Sequence, residues 1–245
     1  MREKDRLYEL EITEPADFVF DQRVVSVFPD MVNRSIPGYG TIVPMIGMMA
    51  RRYATPGSRL YDLGCSLGAV SLAMRAAVRE AVAEIVAVDN SAEMIERFEH
   101  ILDETPEGRG PIRTIRQDIL DTEISNASVV VMNFTLQFLD PQRRAEMIGK
   151  VFNGLNPGGV LLLSEKITFD DPAEQALQTE WHHDFKRAQG YSDLEIAAKR
   201  DALENVMKPE SLDQHHERLA AAGFEACYRW FQGFNFISLA AFRRR

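Results

Sequence analysis

The segment Tyr61-Asp62-Leu63-Gly64-Cys65-Ser66-Leu67-Gly68 joins a short apolar run to a helix-like stretch over residues 69–82. A strand, a glycine-containing turn and a helix, in this order, are typical of a nucleotide-binding loop. Gly64 and Gly68 allow the backbone to turn tightly and to approach a ligand closely, because glycine has no Cβ atom. The N–H groups that open the following helix would then face that ligand.

An acidic residue after the next strand strengthens this prediction. Residues 83–88, Ala-Glu-Ile-Val-Ala-Val, have the composition of a buried strand, and Asp89 follows them. In nucleotide-binding α/β folds, a carboxylate about 20 residues beyond the glycine loop accepts hydrogen bonds from ribose hydroxyls. Asp89 stands at this spacing from Gly68, so we predict that it binds a ribose.

The loop pattern Gly-x-Ser-x-Gly leaves three interpretations open. It departs from the Gly-x-Gly-x-x-Gly dinucleotide fingerprint, and it fits a class I S-adenosylmethionine (SAM) enzyme with Ser66 in place of the middle glycine. It also fits a serine hydrolase with Ser66 as nucleophile. The third interpretation is an ordinary turn without a ligand. The hydrolase is disfavoured, because no His-Gly-Gly segment precedes Ser66 and only one candidate strand lies upstream.

Composition limits the classes of protein to consider. The 245 residues, 45% of them hydrophobic, suit one domain with a sizeable core. There is no run of about 18 apolar residues to span a membrane, and the start Met-Arg-Glu-Lys-Asp-Arg lacks an apolar signal region. Cys65 and Cys227 form no metal-ligand cluster. We therefore expect a cytoplasmic protein without a metal cofactor and without membrane contact.

The charge distribution argues against a large nucleic-acid surface. The formal net charge is −9, and the only dense basic run in the sequence is Arg243-Arg244-Arg245. A protein that binds tRNA or DNA directly needs clustered Lys and Arg side chains. We expect a small-molecule substrate and no direct tRNA binding.

Five candidate strands alternate with helices, which predicts right-handed parallel units. Ligands of such sheets bind beyond the carboxyl ends of the strands. Gly64, Asp89, Asp118 and Asn133 follow four successive strands, so we expect them to converge on one site. The predicted strands are residues 59–63, 83–88, 112–116, 128–132 and 160–163; the predicted helices are 91–102, with a capping box at Asn90 and Glu93, and 141–155, followed by a turn at 156–159.

The flanking segments complete the predicted domain. Residues 1–55 form a mostly helical N-terminal region, and residues 165–209 form a helical lid whose two helices begin near Asp171 and Ser192. A helix over 211–222 ends at Gly223. Two final strands, 225–231 and 234–241, are separated by the short turn 232–233 and are therefore antiparallel. A mostly parallel sheet that closes with a hairpin is typical of class I methyltransferase-like folds.

Three motifs in the core resemble the SAM-dependent methyltransferase superfamily: Asp-Leu-Gly-Cys-Ser-Leu-Gly, Val-Asp-Asn-Ser and Leu-Asn-Pro-Gly-Gly. More specific are Ala-Lys-Arg-x-x-Leu-Glu-Asn-Val-Met over 198–207, Trp-Phe-Gln-x-Phe-Asn-Phe over 230–236, and Arg-Ser-Ile-Pro-Gly-Tyr near the start. Together they are similar to the carboxy-S-adenosyl-L-methionine (carboxy-SAM) synthases. The resemblance extends from Phe18 to Phe242.

This resemblance implies a fold and a reaction. The fold is a Rossmann-like class I methyltransferase fold, one α/β domain over residues 1–245 with a seven-stranded, mostly parallel sheet, a C-terminal antiparallel hairpin and a helical lid. The reaction converts SAM and prephenate to carboxy-SAM and phenylpyruvate, and the product is the carboxymethyl donor for tRNA wobble-uridine modification. The family also implies a homodimer. A plain SAM methyltransferase acting on a small molecule, and a serine hydrolase using Ser66, remain the alternatives.

The resemblance further implies the ligand contacts. Asp89 would accept both ribose hydroxyls, and Asp118 with the Ile119 amide would bind the adenine edge. The amides of Gly64 and Ser66 and the Tyr39 hydroxyl would hold the amino-acid end. The full set of implied contacts for SAM and carboxy-SAM is Tyr39, Gly64, Cys65, Ser66, Asp89, Asn90, Asp118, Ile119, Asn133 and Arg200.

Arg200 is the residue that separates carboxylation from methyl transfer. A guanidinium binds a carboxylate through two parallel hydrogen bonds, and methyl transfer needs no such cation. The alternative is a solvated lid arginine that pairs with Glu204. Two other expectations concern residues without a predicted catalytic role: Asp62 orders the loop, and the adjacent pairs His182-His183 and His215-His216 lie on the surface.

Overall fold

The computed structural model describes residues 22–78 and 82–244, apart from the side chains of Arg23 and Glu204. Residues 1–21, which are most of the first half of the predicted N-terminal helical region, therefore lie outside the described residues, as do residues 79–81. The ion pair predicted between Arg200 and Glu204 involves a side chain that is likewise not described. Among the described residues, no helix combines the length and the apolar composition needed to cross a membrane.

Two helices precede the sheet, as expected for this region. Helix α1 spans Gln22–Ser35 and helix α2 spans Tyr39–Tyr53. The break between them includes Gly38, whose φ of 78° is left-handed. Ile42, Ile46 and Ala50 recur at helical spacing and are fully buried, so they attach α2 to the core.

The sheet has the strand order β3-β2-β1-β4-β5-β8-β7. The first five strands are parallel, and β8 lies antiparallel to both β5 and β7. The predicted mostly parallel sheet with a closing antiparallel hairpin is confirmed. The strand bounds are β1 Arg59–Leu63, β2 Glu84–Asp89, β3 Ile112–Arg116, β4 Ala127–Asn133, β5 Leu155–Thr168, β7 Ala226–Gly233 and β8 Phe236–Phe242.

The central strand explains why the sheet is buried on both faces. Val129 and Val131 of β4 pack into the apolar cluster beneath α2, α3 and α4, whereas Val130 and Met132 pack into the cluster beneath α5 and α8. A strand of β-branched residues with no polar face needs both of its faces buried, and a layer of helices on each side of the sheet provides this. The chain reverses its direction of travel across the sheet between β1 and β4, and this switch point is where ligands of such folds bind.

The remaining helices cover the two faces of the sheet and the ends of its strands. Helices α6 and α7 are the predicted lid, and their starts are confirmed: Asp171 caps α6, and Ser192 forms a capping box with Glu195 at the start of α7. The bounds are α3 Ala69–Ala77, α4 Ala92–Glu104, α5 Arg144–Gly154, α6 Pro172–Ala188, α7 Asp193–Glu204 and α8 Leu212–Ala222.

Several predicted helix boundaries are wrong by a few residues. Helix α3 ends at Ala77, because Val78 is extended. The cap of α4 is Ser91 rather than Asn90, since the Ser91 hydroxyl accepts from the Met94 amide. Residues 141–143 form a 3₁₀ turn before α5.

The strand predictions also differ from the structure in detail. Strand β5 begins at Leu155, where the predicted turn 156–159 lies, because Leu155 already pairs with Ala127. It continues to Thr168 and pairs with an additional strand, β6 (Glu210–Ser211), so the described part of the chain has eight strands instead of the seven predicted. The hairpin turn lies at residues 234–235 rather than 232–233, with Phe234 in the left-handed region.

Candidate functional site

A cleft of about 1180 Å³ opens at the carboxyl ends of the parallel strands, beneath the lid. Helix α1 contributes one wall and helices α6 and α7 contribute another. The predicted convergence of strand-end residues is therefore observed. All ten residues implied as ligand contacts line this cleft: Tyr39, Gly64, Cys65, Ser66, Asp89, Asn90, Asp118, Ile119, Asn133 and Arg200.

The glycine loop has the close approach that its sequence predicts. Gly64 and Gly68 have φ values of 79° and 77°. A Cβ atom at Gly64 would collide with the Thr135 side chain, and one at Gly68 would collide with the Phe98 ring. Ser66 also adopts a left-handed conformation, with φ of 47°, which is uncommon for a residue with a side chain.

The loop amides have hydrogen-bond acceptors within the chain. The Gly64 and Cys65 N–H groups donate to the Val88 carbonyl at 2.8 and 2.9 Å, and the Ser66 N–H donates to Asp89 Oδ2 at 2.9 Å. These hydrogen bonds fasten the loop to the end of β2. That the Gly64 and Ser66 amides hold the ligand's amino-acid end stays a prediction, and the loop carbonyl oxygens are further groups that a ligand could use.

Asp89 is held in place by backbone donors. Its Oδ1 accepts from the Ser91 N–H at 3.0 Å, while Oδ2 accepts from Ser66. Burial raises the pKa of Asp89, and these hydrogen bonds oppose that shift. Each carboxylate oxygen retains a lone pair, so the group can still accept two ribose hydroxyls.

Asp62, which we expected to order the loop, binds the first turn of α3, directly after the loop. Its Oδ2 accepts from the Ser71 N–H at 2.9 Å and from the Ser71 hydroxyl at 2.6 Å. Burial raises the pKa of this carboxyl to about 6, against the effect of those hydrogen bonds. Tyr39, which also lines the cleft, has a pKa raised by burial and by the charge of Asp62, so it remains a neutral hydroxyl.

Asn133 and Asp118 provide the polar groups at the ends of β4 and β3. The Asn133 side-chain oxygen is buried and has no hydrogen-bond partner among the described residues. An orphaned acceptor in a cleft is the feature that a donor on a ligand would satisfy. Asp118 Oδ1 accepts from the Leu120 N–H at 2.8 Å, which orients the carboxylate along the cleft rim.

Arg200 lies on α7 at the mouth of the cleft. Its side chain is 65% exposed, and its Nε and Nη2 atoms both lie 3.0 Å from Asp201 Oδ1. The guanidinium is thus in reach of the cleft but is paired with its neighbour in sequence and is well solvated. A new anion in the cleft would have to compete with Asp201 for this cation.

The sequence reasoning missed a basic wall formed by the lid and by the end of β5. Lys166, Lys186 and Lys199 all line the cleft. Lys199 Nζ donates to the Ser35 hydroxyl at 3.0 Å and to the Tyr191 hydroxyl at 3.3 Å, which ties α7 to α1. One feature of the sequence could have indicated part of this wall. Lys186 follows His182 by four residues, which places both side chains on one face of α6.

The prediction of surface histidines is wrong for two of the four. His182 is buried, with Nε2 2.9 Å from the Ser35 carbonyl oxygen, and burial lowers its pKa to about 2. His215 lies on the buried face of α8, and burial lowers its pKa to about 4. Adjacent residues on a helix point in different directions, so one member of each pair can face inward.

Two alternative chemistries find no support in the geometry. Among the described residues, no hydrogen bond joins Ser66 to a histidine, so the hydrolase arrangement is not formed. Within residues 22–78 and 82–244, no three His, Cys, Asp or Glu side chains are grouped to hold a metal ion. Cys65 and Cys227 are free thiols.

Solved structures show the fold. The chain resembles an O-methyltransferase family protein from Burkholderia thailandensis, with a TM-score of 0.68, 18% identity, and coverage of 92% of this chain and 61% of that one. It also resembles human N-acetylserotonin methyltransferase in complex with SAM, with a TM-score of 0.62, 12% identity, and coverage of 91% and 56%. These likenesses place the core in the class I methyltransferase fold.

Sequence relatives show the family. The family described as a methyltransferase domain matches residues 60–159. A carboxy-S-adenosyl-L-methionine synthase of Geobacter sp. is 53% identical over 242 residues, which are 99% of each chain, and that of Photobacterium profundum is 50% identical over 243 residues, also 99% of each chain. With the predicted strand-end cleft in place and this identity over nearly its whole length, the chain belongs to the carboxy-S-adenosyl-L-methionine synthase family.

Proposed function

We propose that this enzyme converts SAM and prephenate into carboxy-SAM and phenylpyruvate. The observation that carries the proposal is the composition of the cleft, in which nucleoside-binding groups at the strand ends face a wall of cations. A methyl donor and an anionic second substrate can therefore lie side by side. The names of the relatives, at 50% identity and above, support the same product.

The strand ends would bind the nucleoside of SAM. Asp89 would accept both ribose hydroxyls, Asp118 and Ile119 would face the adenine, and the orphaned Asn133 oxygen would accept a donor on the ligand. The Tyr39 hydroxyl and the loop carbonyls would hold the amino-acid end. This arrangement uses the backbone-held carboxylate of Asp89 as its rigid reference point.

Arg200 would bind the carboxylate that distinguishes carboxy-SAM from SAM. Its planar guanidinium can form two parallel hydrogen bonds to that group once it exchanges Asp201 for the ligand. Because the Arg200 side chain is exposed, we expect the exchange to accompany closure of α7 over the cleft.

The residues of the cleft would act by holding reactants and excluding water. The sulfonium supplies an acidified methyl group. Prephenate loses its carboxyl group as carbon dioxide and its ring hydroxyl as hydroxide when it aromatises; the hydroxide takes the methyl proton and leaves as water. Carbon dioxide then forms the new carbon–carbon bond, so atoms and charge balance without a base from the protein. Lid residues would retain the carbon dioxide until that bond forms.

The wider role follows from the product. Carboxy-SAM would serve a separate enzyme that carboxymethylates the wobble uridine of tRNA. A formal net charge of −9 supports a division of labour in which this protein does not bind tRNA itself. We further propose a cytoplasmic homodimer of single-domain chains, for which exposed Met48 and Tyr228 offer apolar surface.

Purified enzyme incubated with SAM and prephenate provides the test. Mass spectrometry should detect carboxy-SAM and phenylpyruvate in equal amounts, and each should depend on both substrates. Methyl transfer to an added acceptor without carboxy-SAM would favour the plain methyltransferase instead. Stoichiometric labelling of Ser66 by a fluorophosphonate would favour the hydrolase.

A further inference from the structure

Two lysine ammonium groups in the cleft lack a counter-ion among the residues that the structure describes. Lys186, on α6, is only 8% exposed, and Lys166, near the end of β5, is partly buried. The Lys166 ammonium lies 6.0 Å from the centre of the Phe236 ring. The contrast is Lys199, whose ammonium donates to two hydroxyls and so has a structural role.

Burial works against the charged form of both lysines. Burial, together with the charges of Lys199 and Lys166, lowers the pKa of Lys186 to about 7. Burial also lowers the pKa of Lys166. Burial also lowers the pKa values of the two nearby histidines, His182 and His183, so they are neutral and do not balance the charge of the lysines. Cations held together without an anion are typical of a binding site rather than of a stabilising contact.

The two lysines lie next to the nucleoside-binding wall. Asn133 at the end of β4 pairs in register with Ser164, so Lys166 stands two residues beyond that point on the adjacent strand. Lys186 reaches the same cleft from the lid. An anion between them would therefore share the cleft with SAM and lie close to the strand end that carries Asn133.

Aromatic side chains complete this part of the cleft. Phe236 pairs with Lys166 across β5 and β8, and its ring meets the Phe134 ring at a centroid distance of 5.9 Å in an edge-to-face arrangement. His182 packs on Phe236 at 4.9 Å. Apolar ring faces next to two ammonium groups fit a molecule that combines a six-membered ring with carboxylates.

We infer that Lys166 and Lys186 form the carboxylate-binding subsite for the carboxyl-donating substrate, with Phe236 and Phe134 against its ring. The inference rests on the proposed function for the identity of that substrate. It assigns two different cations to two different anions: Arg200 binds the carboxylate of the product, and the lysines bind the carboxylates of the donor. Removing a lysine should therefore affect prephenate and leave SAM binding intact.

Lys186→Met and Lys166→Met test this assignment. Each should raise the KM for prephenate by roughly 10- to 100-fold, the range for a hydrogen bond to a charged group, while the KM for SAM stays unchanged. Lys186→Arg should recover part of the loss. The ligand-free Lys186→Met protein should also melt at a higher temperature than wild type, because a buried ammonium without an anion is replaced by an apolar side chain of similar length.

Arg187→Met is the matched control, because Arg187 follows Lys186 on α6 but is exposed and paired with Asp184 and Asp193. It should leave the KM for prephenate at the wild-type value. Equal increases in KM for prephenate and SAM, or a lower melting temperature for Lys186→Met with no change in the KM for prephenate, would mean that the lysines merely support the lid.

Calorimetric titration with prephenate alone separates failure of this inference from failure of the proposed function. If the wild type binds prephenate but forms no carboxy-SAM, the proposed reaction fails, and weaker binding by the lysine variants still supports the subsite. Equal binding by wild type and variants, or no binding by the wild type, overturns the subsite.

Discussion

At the scale of single residues, Asp89 serves both the protein and the ligand. It links the loop at Ser66 to the start of α4 at Ser91, and it presents the same carboxylate to the cleft. The residue that the sequence marks as a ribose ligand is therefore also the anchor of the loop. Its replacement should affect binding directly and through the order of the loop.

Asp89→Ala should weaken SAM binding by about 1.5–3 kcal/mol, the scale of hydrogen bonds to a charged group. Isothermal titration with SAM measures the loss, and titration with NAD should give no binding to either protein. Asp103→Ala is the control, because Asp103 is exposed and pairs with Arg109 away from the cleft. Wild-type SAM affinity in Asp89→Ala would show that the ribose lies elsewhere.

Arg200→Ala should weaken carboxy-SAM binding by about 1–2 kcal/mol more than SAM binding, a range between an exposed ion pair and a hydrogen bond to a charged group. We expect a loss of this size because Arg200 is exposed; removing one partner of a buried ion pair would weaken binding by more. Arg200→Lys should recover part of the difference because it keeps the charge without the planar fork. Competition titrations with both ligands provide the measurement.

Asp201→Asn is the informative partner variant for Arg200. It removes the carboxylate that pairs with the guanidinium and should tighten carboxy-SAM binding or leave it unchanged. Equal losses for SAM and carboxy-SAM in Arg200→Ala would contradict the assignment, because Arg200 would then support the lid generally.

At the scale of elements, the cleft depends on how the lid helices begin. Helix α7 carries Lys199 and Arg200, and it starts with a capping box between Ser192 and Glu195. Helix α8 starts with the same kind of box, between Ser211 and Gln214, but does not line the cleft. The two caps are chemically alike and differ in what their helices carry.

Ser192→Ala and Ser211→Ala should each cost about 0.5–2 kcal/mol of unfolding free energy, the usual effect of losing an N-cap. Only Ser192→Ala should also raise the KM for prephenate and speed amide hydrogen exchange in α7. Urea unfolding, steady-state kinetics and hydrogen exchange measure the three effects. A similar rise in KM for both variants would show that general stability, rather than the placement of α7, controls the cleft.

At the scale of the whole molecule, buried titratable groups make stability depend on pH. His215 is 2% exposed, and neither ring nitrogen has a hydrogen-bond partner among the described residues. Burial is the largest cause that lowers its pKa to about 4, and of the groups that face it Arg218, Arg144 and His216 lower the pKa as well, whereas Glu210 raises it. The folded chain therefore keeps His215 neutral at a pH where the unfolded chain protonates it.

His215→Leu should flatten this dependence on the acid side. Below about pH 6.5 His215 binds a proton in the unfolded state, whereas in the folded state it binds one only near pH 4. Between these two pH values, the unfolding free energy of the wild type therefore falls by about 1.4 kcal/mol for each pH unit of acidification because of this residue. Urea unfolding of both proteins at pH 7 and pH 5 isolates the effect, because the raised pKa of Asp62 contributes equally to each. A difference between the proteins that does not change with pH would contradict the prediction.

The amino-acid sequence by itself determined the sheet and the position of the cleft. Buried β-branched runs, glycines that need a left-handed backbone, and helix caps all act over a few neighbouring residues. The order of strands then follows from the handedness of their connections. For this reason the sequence alone predicts that Gly64, Asp89, Asp118 and Asn133 lie at one site.

Only the tertiary structure decided how the polar groups of that site are used. His182 is buried against Ser35, a partner 147 positions away in the chain, and the Ser66 amide is taken by Asp89, 23 positions away. Burial of Lys186 and exposure of Arg200 likewise depend on how the lid rests on α1 and on the sheet. Periodicity reports which face of an element is apolar, but pairing between distant polar atoms depends on packing, and packing is a property of the whole chain.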